Sequence, residues 1–236
     1  GLDDSQLRLL QERLGYLREM EDRRATVMES IAAQGKLTQE LKEALLQAET
    51  KQRIEDLYLP YKPKRRTRAQ IAKEAGLEPL AELLFGDPSQ VPEVVAQQFI
   101  NEEKGIKTSK DALNGARDIL AERFSENAEL LAVLRSFLTK RGFIVSELVE
   151  GKEVEGAKFK DYFDFDEELT AIPSHRALAL FRGRQEGVLS IKIALSEEEE
   201  AQKPHPCQQI IAEHFGIKDL GRAADQWLQD VCRWTW

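Results

Sequence analysis

Six cations fall between Lys62 and Lys73 in the stretch LYLPYKPKRRTRAQIAKEAGLEPL, which runs from Leu57 to Leu80. They are Lys62, Lys64, Arg65, Arg66, Arg68 and Lys73. A buried charge needs a partner, so most of these side chains must face water or a polyanion. Pro60 and Pro63 stiffen the approach to the loop. Tyr58 and Tyr61 supply rings that can anchor it internally or stack on an unpaired base. Two readings stay open at this point. Lys62, Lys64, Arg65, Arg66 and Arg68 contact phosphates, with Tyr61 and Lys73 beside them, or the loop is solvated and pairs with nearby Glu and Asp. FRGRQEG sets Arg176, Arg182 and Arg184 near a turn as a second candidate anion patch. Its alternative is pairing of Arg176 and Arg182 with the acidic run upstream.

Other chemistries are weakly supported. His175, His205 and His214 are the histidines, and His205-Pro206-Cys207 with His214 invites a metal reading. Zinc sites usually need three or four ligands at tighter spacing, so no metal is expected. Asp161, Asp164, Asp166, Glu167 and Glu168 cluster, as surface acids commonly do. Ser174 and His175 are adjacent, and adjacent helical residues do not face each other. FRGRQEG lacks the spacing of a phosphate-binding glycine loop. The expectation is no catalysis and no cofactor.

The elements that must position the loop read mostly as helices. Leu7, Leu10, Leu14 and Leu17 mark one face of a long helix that Asp3 or Asp4 caps and Gly35 closes. Thr38 and Thr50 open two more helices. After the loop, Ala72 and Gly76 in AKEAG give the small-x-x-x-Gly step of a helix-turn-helix-like element. The helix that follows carries Glu78, Glu82 and Asp87, which repel phosphates, so a turn packed for structural reasons is the preferred reading. Pro79 and Pro92 restart helices. Leu113 to Phe124 and Leu130 to Leu138 mark two longer ones. FIVSELV and GVLSIKIAL read as strands, while AKFKDYFDF and SHRALALFRG between them look helical. SEEEEAQKP reads as a solvated loop, and two helices finish the chain. The fold class is therefore mainly α, with a minor two-stranded β element. Residues 1–142 form an N-terminal helical region that includes the loop at 60–73, and 143–236 form a mixed region.

Composition narrows the function classes. The 236 residues are 42% hydrophobic and 32% charged, which suits a core-forming chain. The net charge of −8 argues against a surface coated in nucleic acid, but screening over about 8 Å lets one strip act locally. No apolar run reaches the roughly 20 residues of a membrane-spanning helix. Two cysteines, Cys207 and Cys232, give no disulfide framework, so a cytoplasmic setting is expected. The apolar stripe Trp227, Val231, Trp234 runs to the last residues, as in an excised part of a longer protein.

EDLYLPYKPKRRTRAQIAKEAGLEPLA (Glu55–Ala81), EGAKFKDYFDFDE (Glu155–Glu167), PSHRALALFRGRQEGVL (Pro173–Leu189) and WTW (Trp234–Trp236) together resemble the Tex family of bacterial transcription accessory proteins. The resemblance covers the whole chain in order. It implies a cytoplasmic, multidomain, nucleic-acid-binding parent whose partners are RNA or DNA and the transcription machinery. It implies that this chain is the helical N-terminal part, without the family's RNase H-like, helix-hairpin-helix and S1 modules. Trp227, Trp234 and Trp236 would then be residues of an interdomain junction. An alternative is a protein-interaction platform, with nucleic-acid binding supplied only by the S1 domain.

Overall fold

A computed structural model describes residues 3–63 and 65–236. The first helix, α1 (Asp4–Ala33), opens with a capping box. The Asp3 carboxylate accepts from the Gln6 backbone N–H at 2.7 Å, and the Gln6 side chain accepts from Asp3 N–H at 3.1 Å. Gly35 closes the helix at φ 68, where its N–H donates to Ala32 and that of Lys36 donates to Ile31. Thr38 caps α2 (Gln39–Gln47) and Thr50 caps α3 (Lys51–Tyr58) through their side-chain oxygens. These three helices bury Val27, Ile31, Leu45 and Ile54 completely, with Met20 and Tyr58 at the margin. Burial on α1 starts only at Tyr16 and Met20, because the short α2 and α3 reach no further. The expected leucine face at Leu7, Leu10, Leu14 and Leu17 is helical but exposed.

Arg24 carries a polar task inside this core. It is buried, and its guanidinium donates to the carbonyls of Leu45 and Ala48, the latter at 2.9 Å. Both carbonyls belong to the end of α2, where a helix runs out of backbone donors; that of Leu45 otherwise has only the Ala48 N–H at 3.4 Å.

The helix-turn-helix-like element is α4 (Arg68–Glu74) and α5 (Glu78–Gly86), joined by a turn with Gly76 at φ 80. Next come α6 (Pro92–Ala96), two 3-10 turns, and α7 (Ser109–Ser125), which Thr108 and Asp111 open with a second capping box. α4, α5 and α6 all pack on α7. The approach of α4 is close at Gly115: a Cβ there would lie 2.3 Å from Leu77 Cδ1 and 3.2 Å from Ala72 Cβ.

α8 (Ala128–Arg141) leads into an antiparallel sheet of β1 (Phe143–Leu148), β2 (Asp164–Glu168) and β3 (Leu189–Ala194), in the order β2-β1-β3. Phe143 pairs with Glu168 on one side and Ala194 on the other. The two expected strands are β1 and β3. The third falls where a helix was expected: Ala157–Tyr162 is a 3-10 turn and the acidic run after it is β2. Asp and Glu are poor strand formers, so β2 owes its state to its neighbour β1. α9 (Ser174–Gln185) covers β3, with Leu180 and Gly183 against Leu189. The expected loop at Ser196 holds a short helix, α10 (Glu197–Ala201), followed by α11 (Pro206–His214) and α12 (Asp225–Thr235).

The described residues fall into two compact units. One runs to Leu131 and takes back Asp219–Thr235, and the other is Ala132–Lys218 with Trp236. In the first, α12 packs on α7 through Leu228, Val231 and Cys232. Asp225 is buried at its start and accepts from the N–H groups of Leu220 and Arg222 and from the Arg222 guanidinium.

Two stability predictions follow from this packing. Arg24→Leu keeps the volume but orphans the Ala48 carbonyl and leaves that of Leu45 only the long 3.4 Å bond from Ala48 N–H, so it should cost about 1–3 kcal/mol in a urea titration. A loss within error would show that water reaches the end of α2. Gly15 and Gly115 both sit inside helices, but only Gly115 is crowded. Gly15→Ala should therefore stabilise by about 0.5–1 kcal/mol. Gly115→Ala should destabilise by about 1–2 kcal/mol, because the overpacking penalty exceeds the helix-propensity gain. Equal shifts in thermal midpoint for both variants would contradict this account of the α4–α7 contact.

Candidate nucleic-acid interface

The basic loop is fastened at both ends. At the near end α3 runs into a 3-10 turn, Leu59–Tyr61, with Pro60 inside it. The Tyr58 ring is buried, and its hydroxyl lies 2.8 Å from Ser30 Oγ. The Arg23 guanidinium sits 5.4 Å from the centre of that ring and pairs with Glu55 at 2.6 Å, which holds the Glu55 carboxyl below its ordinary range. Tyr61 packs half-buried against the same core, and its carbonyl accepts from Gln34 Nε2 at 2.8 Å. At the far end the Thr67 hydroxyl does two things. It accepts from Gln70 N–H to cap α4, and it donates to Glu122 on α7 at 2.7 Å. Of the two roles open to the tyrosines, both are used as anchors.

Between these fasteners Lys62, Arg65 and Arg66 are exposed, and so are Arg68 and Lys73 just beyond them on α4. Arg66 pairs with Glu74 at 2.6 Å. Among the described residues Lys62, Arg65, Arg68 and Lys73 make no ion pair. Lys64 lies outside the described residues. A groove of about 300 Å³ opens beside the loop. It adds a cation that sequence reasoning missed: Lys36, from the turn after α1. Lys36 lies 26 positions before Lys62, so only tertiary structure joins them; the one local sign is its place directly after the helix-closing Gly35.

The other anticipated groups are placed differently. Arg176, Arg182 and Arg184 lie on α9 in the second unit. Arg176 pairs with Glu167 at 3.2 Å, and Arg182 pairs with Glu186 at 3.1 Å. Arg184 is exposed and makes no ion pair among the described residues. The acidic face of α5 is engaged from α7, where Arg123 reaches Glu82 and lies 4.0 Å from Glu78. On α12, Trp227 is half-buried and Trp234 is half exposed under the Arg117 guanidinium, 3.8 Å from its ring centre. Trp236 stacks on His205 at 5.4 Å.

His205-Pro206-Cys207 is occupied by local structure. His205 Nδ1 accepts from Cys207 N–H at 3.1 Å to cap α11, and its Nε2 faces Glu200 at 3.0 Å. Burial pushes the Cys207 thiol up to about 11, with Glu200 and Glu199 adding to the shift. Burial pushes the Cys232 thiol up to about 12. Among the described residues no three His, Cys, Asp or Glu side chains are grouped so as to share a metal ion.

Comparison with known proteins adds to this geometry. The family description Tex central region-like matches residues 87–236. Protein tex of Bordetella pertussis is 56% identical over 241 residues, covering 100% of this chain and 30% of that protein. Transcriptional accessory protein Tex of Neisseria gonorrhoeae is 50% identical over 237 residues, again covering 100% of this chain and 30% of that protein. The human S1 RNA-binding domain-containing protein 1 is 30% identical over 206 residues, covering 84% of this chain and 20% of that protein. The chain thus spans 30% of the length of the two bacterial relatives.

The raised thiols give a direct check. At pH 8 a thiol reagent such as a disulfide dye should leave Cys207 and Cys232 unlabelled in the folded chain while labelling both at once in denaturant. Rapid labelling of the native chain would mean that one thiol is exposed or activated.

Proposed function

The chain belongs to the Tex family, and from that membership we propose that it is a non-catalytic scaffold region that offers one cationic strip to the backbone of RNA or DNA. The observation that carries this reading is the state of the loop. Lys62, Arg65, Arg68 and Lys73 are exposed and make no ion pair among the described residues; the first two lie on a segment tied down at both ends and the other two on the helix that follows it. Three of them, Lys62, Arg65 and Lys73, line one groove, where like charges repel one another and a polyanion relieves that repulsion. The names of the relatives agree: one is called a transcriptional accessory protein and another an S1 RNA-binding domain-containing protein. The carboxylates of the helix-turn-helix-like element turn α5 away from such a role, since Glu78 and Glu82 face Arg123. The strip therefore works through phosphates rather than through a recognition helix in a groove.

A second reading, a protein-interaction platform, is favoured by the exposed leucines on the first half of α1. The two readings differ in what salt does. With four phosphate contacts, log affinity against log salt should have a slope of about −3 to −4. The triple variant Arg65→Ala, Arg68→Ala, Lys73→Ala should flatten that slope by about 2 to 3 and leave preference among sequences unchanged. The measurement is fluorescence anisotropy of labelled RNA and DNA at several salt concentrations. A triple variant with the wild-type slope would leave the platform reading standing alone.

A further inference from the structure

We infer that the groove beside the basic loop takes the sugar–phosphate backbone of a single strand, and that Lys36 is one of its phosphate contacts. This rests on the nucleic-acid reading above and adds to it the kind of strand and a residue from another part of the fold.

The groove draws its cations from separated segments. Lys36 comes from the turn after α1, Lys62 from the end of the 3-10 turn, Arg65 and Arg66 from the loop, and Lys73 from α4. Its carboxylates, Glu122 and Glu126, come from α7 alone, and Glu122 is held by the Thr67 hydroxyl. With Arg66 set aside because Glu74 neutralises it, four cations against two carboxylates leave an anion-attracting concavity in a chain whose net charge is −8. Tertiary structure has gathered positive charge here against the overall balance.

Shape decides which strand. A space of about 300 Å³ is on the scale of a single nucleotide's phosphate and sugar. Duplex DNA is stiff, with a persistence length of about 150 base pairs, and it presents a convex face. It can touch the rim but does not bend into a pocket of this size. Arg68 is exposed outside this groove, beside a separate cavity that Asp118 and Trp234 line, and so is open to either kind of strand. A single strand bends freely and can enter.

The lining also decides what is read. Lysine, arginine and Gln70 side chains offer N–H donors. Tyr61 lines the groove but is packed into the helical core beneath it. A half-buried ring already engaged by the core gives bases little stacking surface, so phosphates carry most of the contact. Lys36 is well placed for one of them. Its backbone N–H donates to Ile31 at 3.2 Å beyond the left-handed Gly35, its side chain is exposed, and it makes no ion pair among the described residues.

The test is Lys36→Gln in the whole chain, titrated by anisotropy with a short labelled single strand and with a hairpin duplex. For the single strand the salt slope should fall by about 0.7. The duplex curve should not move, and strands of U and of A should respond alike. Arg68→Ala should weaken both ligands. Equal loss on strand and duplex, or no loss on either, overturns the inference. So does a poly-Glu peptide that binds with the same dependence on Lys36. If the triple loop variant flattens the slope and Lys36→Gln does not, the groove alone is wrong. If neither variant changes the slope, it is the nucleic-acid reading that has failed.

Discussion

The close approach of two helices at Gly115 sets the position of everything near the basic loop. With no side chain there, Ala72 and Leu77 press directly against α7, and the α4–α5 turn is seated on it. That contact fixes the start of α4. Two turns further along α7, Glu122 meets the hydroxyl of Thr67, the residue that caps α4. A packing constraint between apolar groups thus becomes a polar fastening at the end of the loop. The opposite fastening comes from a different core, where Gln34 at the end of α1 holds the carbonyl of Tyr61. Neither tether uses a charge of the loop itself, which leaves those charges available.

Much of this architecture was legible because it is written locally. Gly35, Thr38, Thr50, Pro79 and Pro92 mark helix ends by their own backbone preferences, and the helices begin and stop there. The strands β1 and β3 carry β-branched residues and were equally readable. β2 was not, since Asp164 to Glu168 have no tendency to extend and take that form only by pairing with β1. The leucines early in α1 show the reverse error. Their spacing gives a face, but spacing alone does not say whether anything covers it.

The candidate site divides in the same way. That the loop cations would be exposed followed from the cost of burying charge. Which of them would be neutralised did not, because Arg66 finds Glu74 eight residues away and Arg176 finds Glu167 across a turn. Lys36 had no local signature beyond its neighbour Gly35. The stripe drawn through Trp227, Val231 and Trp234 shares only Val231 with the buried face of α12, which runs through Leu228, Val231 and Cys232. At period 3.6 the two stripes share Val231, and only the position of α7 chooses between them.

The double tether of the loop has a consequence for motion along a polymer. A loop whose backbone is already fixed at both ends would lose little backbone freedom on the proposed contact, so less entropy would oppose the encounter. The same loop offers no shaped slot for a particular base, so each repeat of a backbone fits as well as the next. On the proposed reading such a surface would act as a fairlead, which keeps a line on course while letting it run.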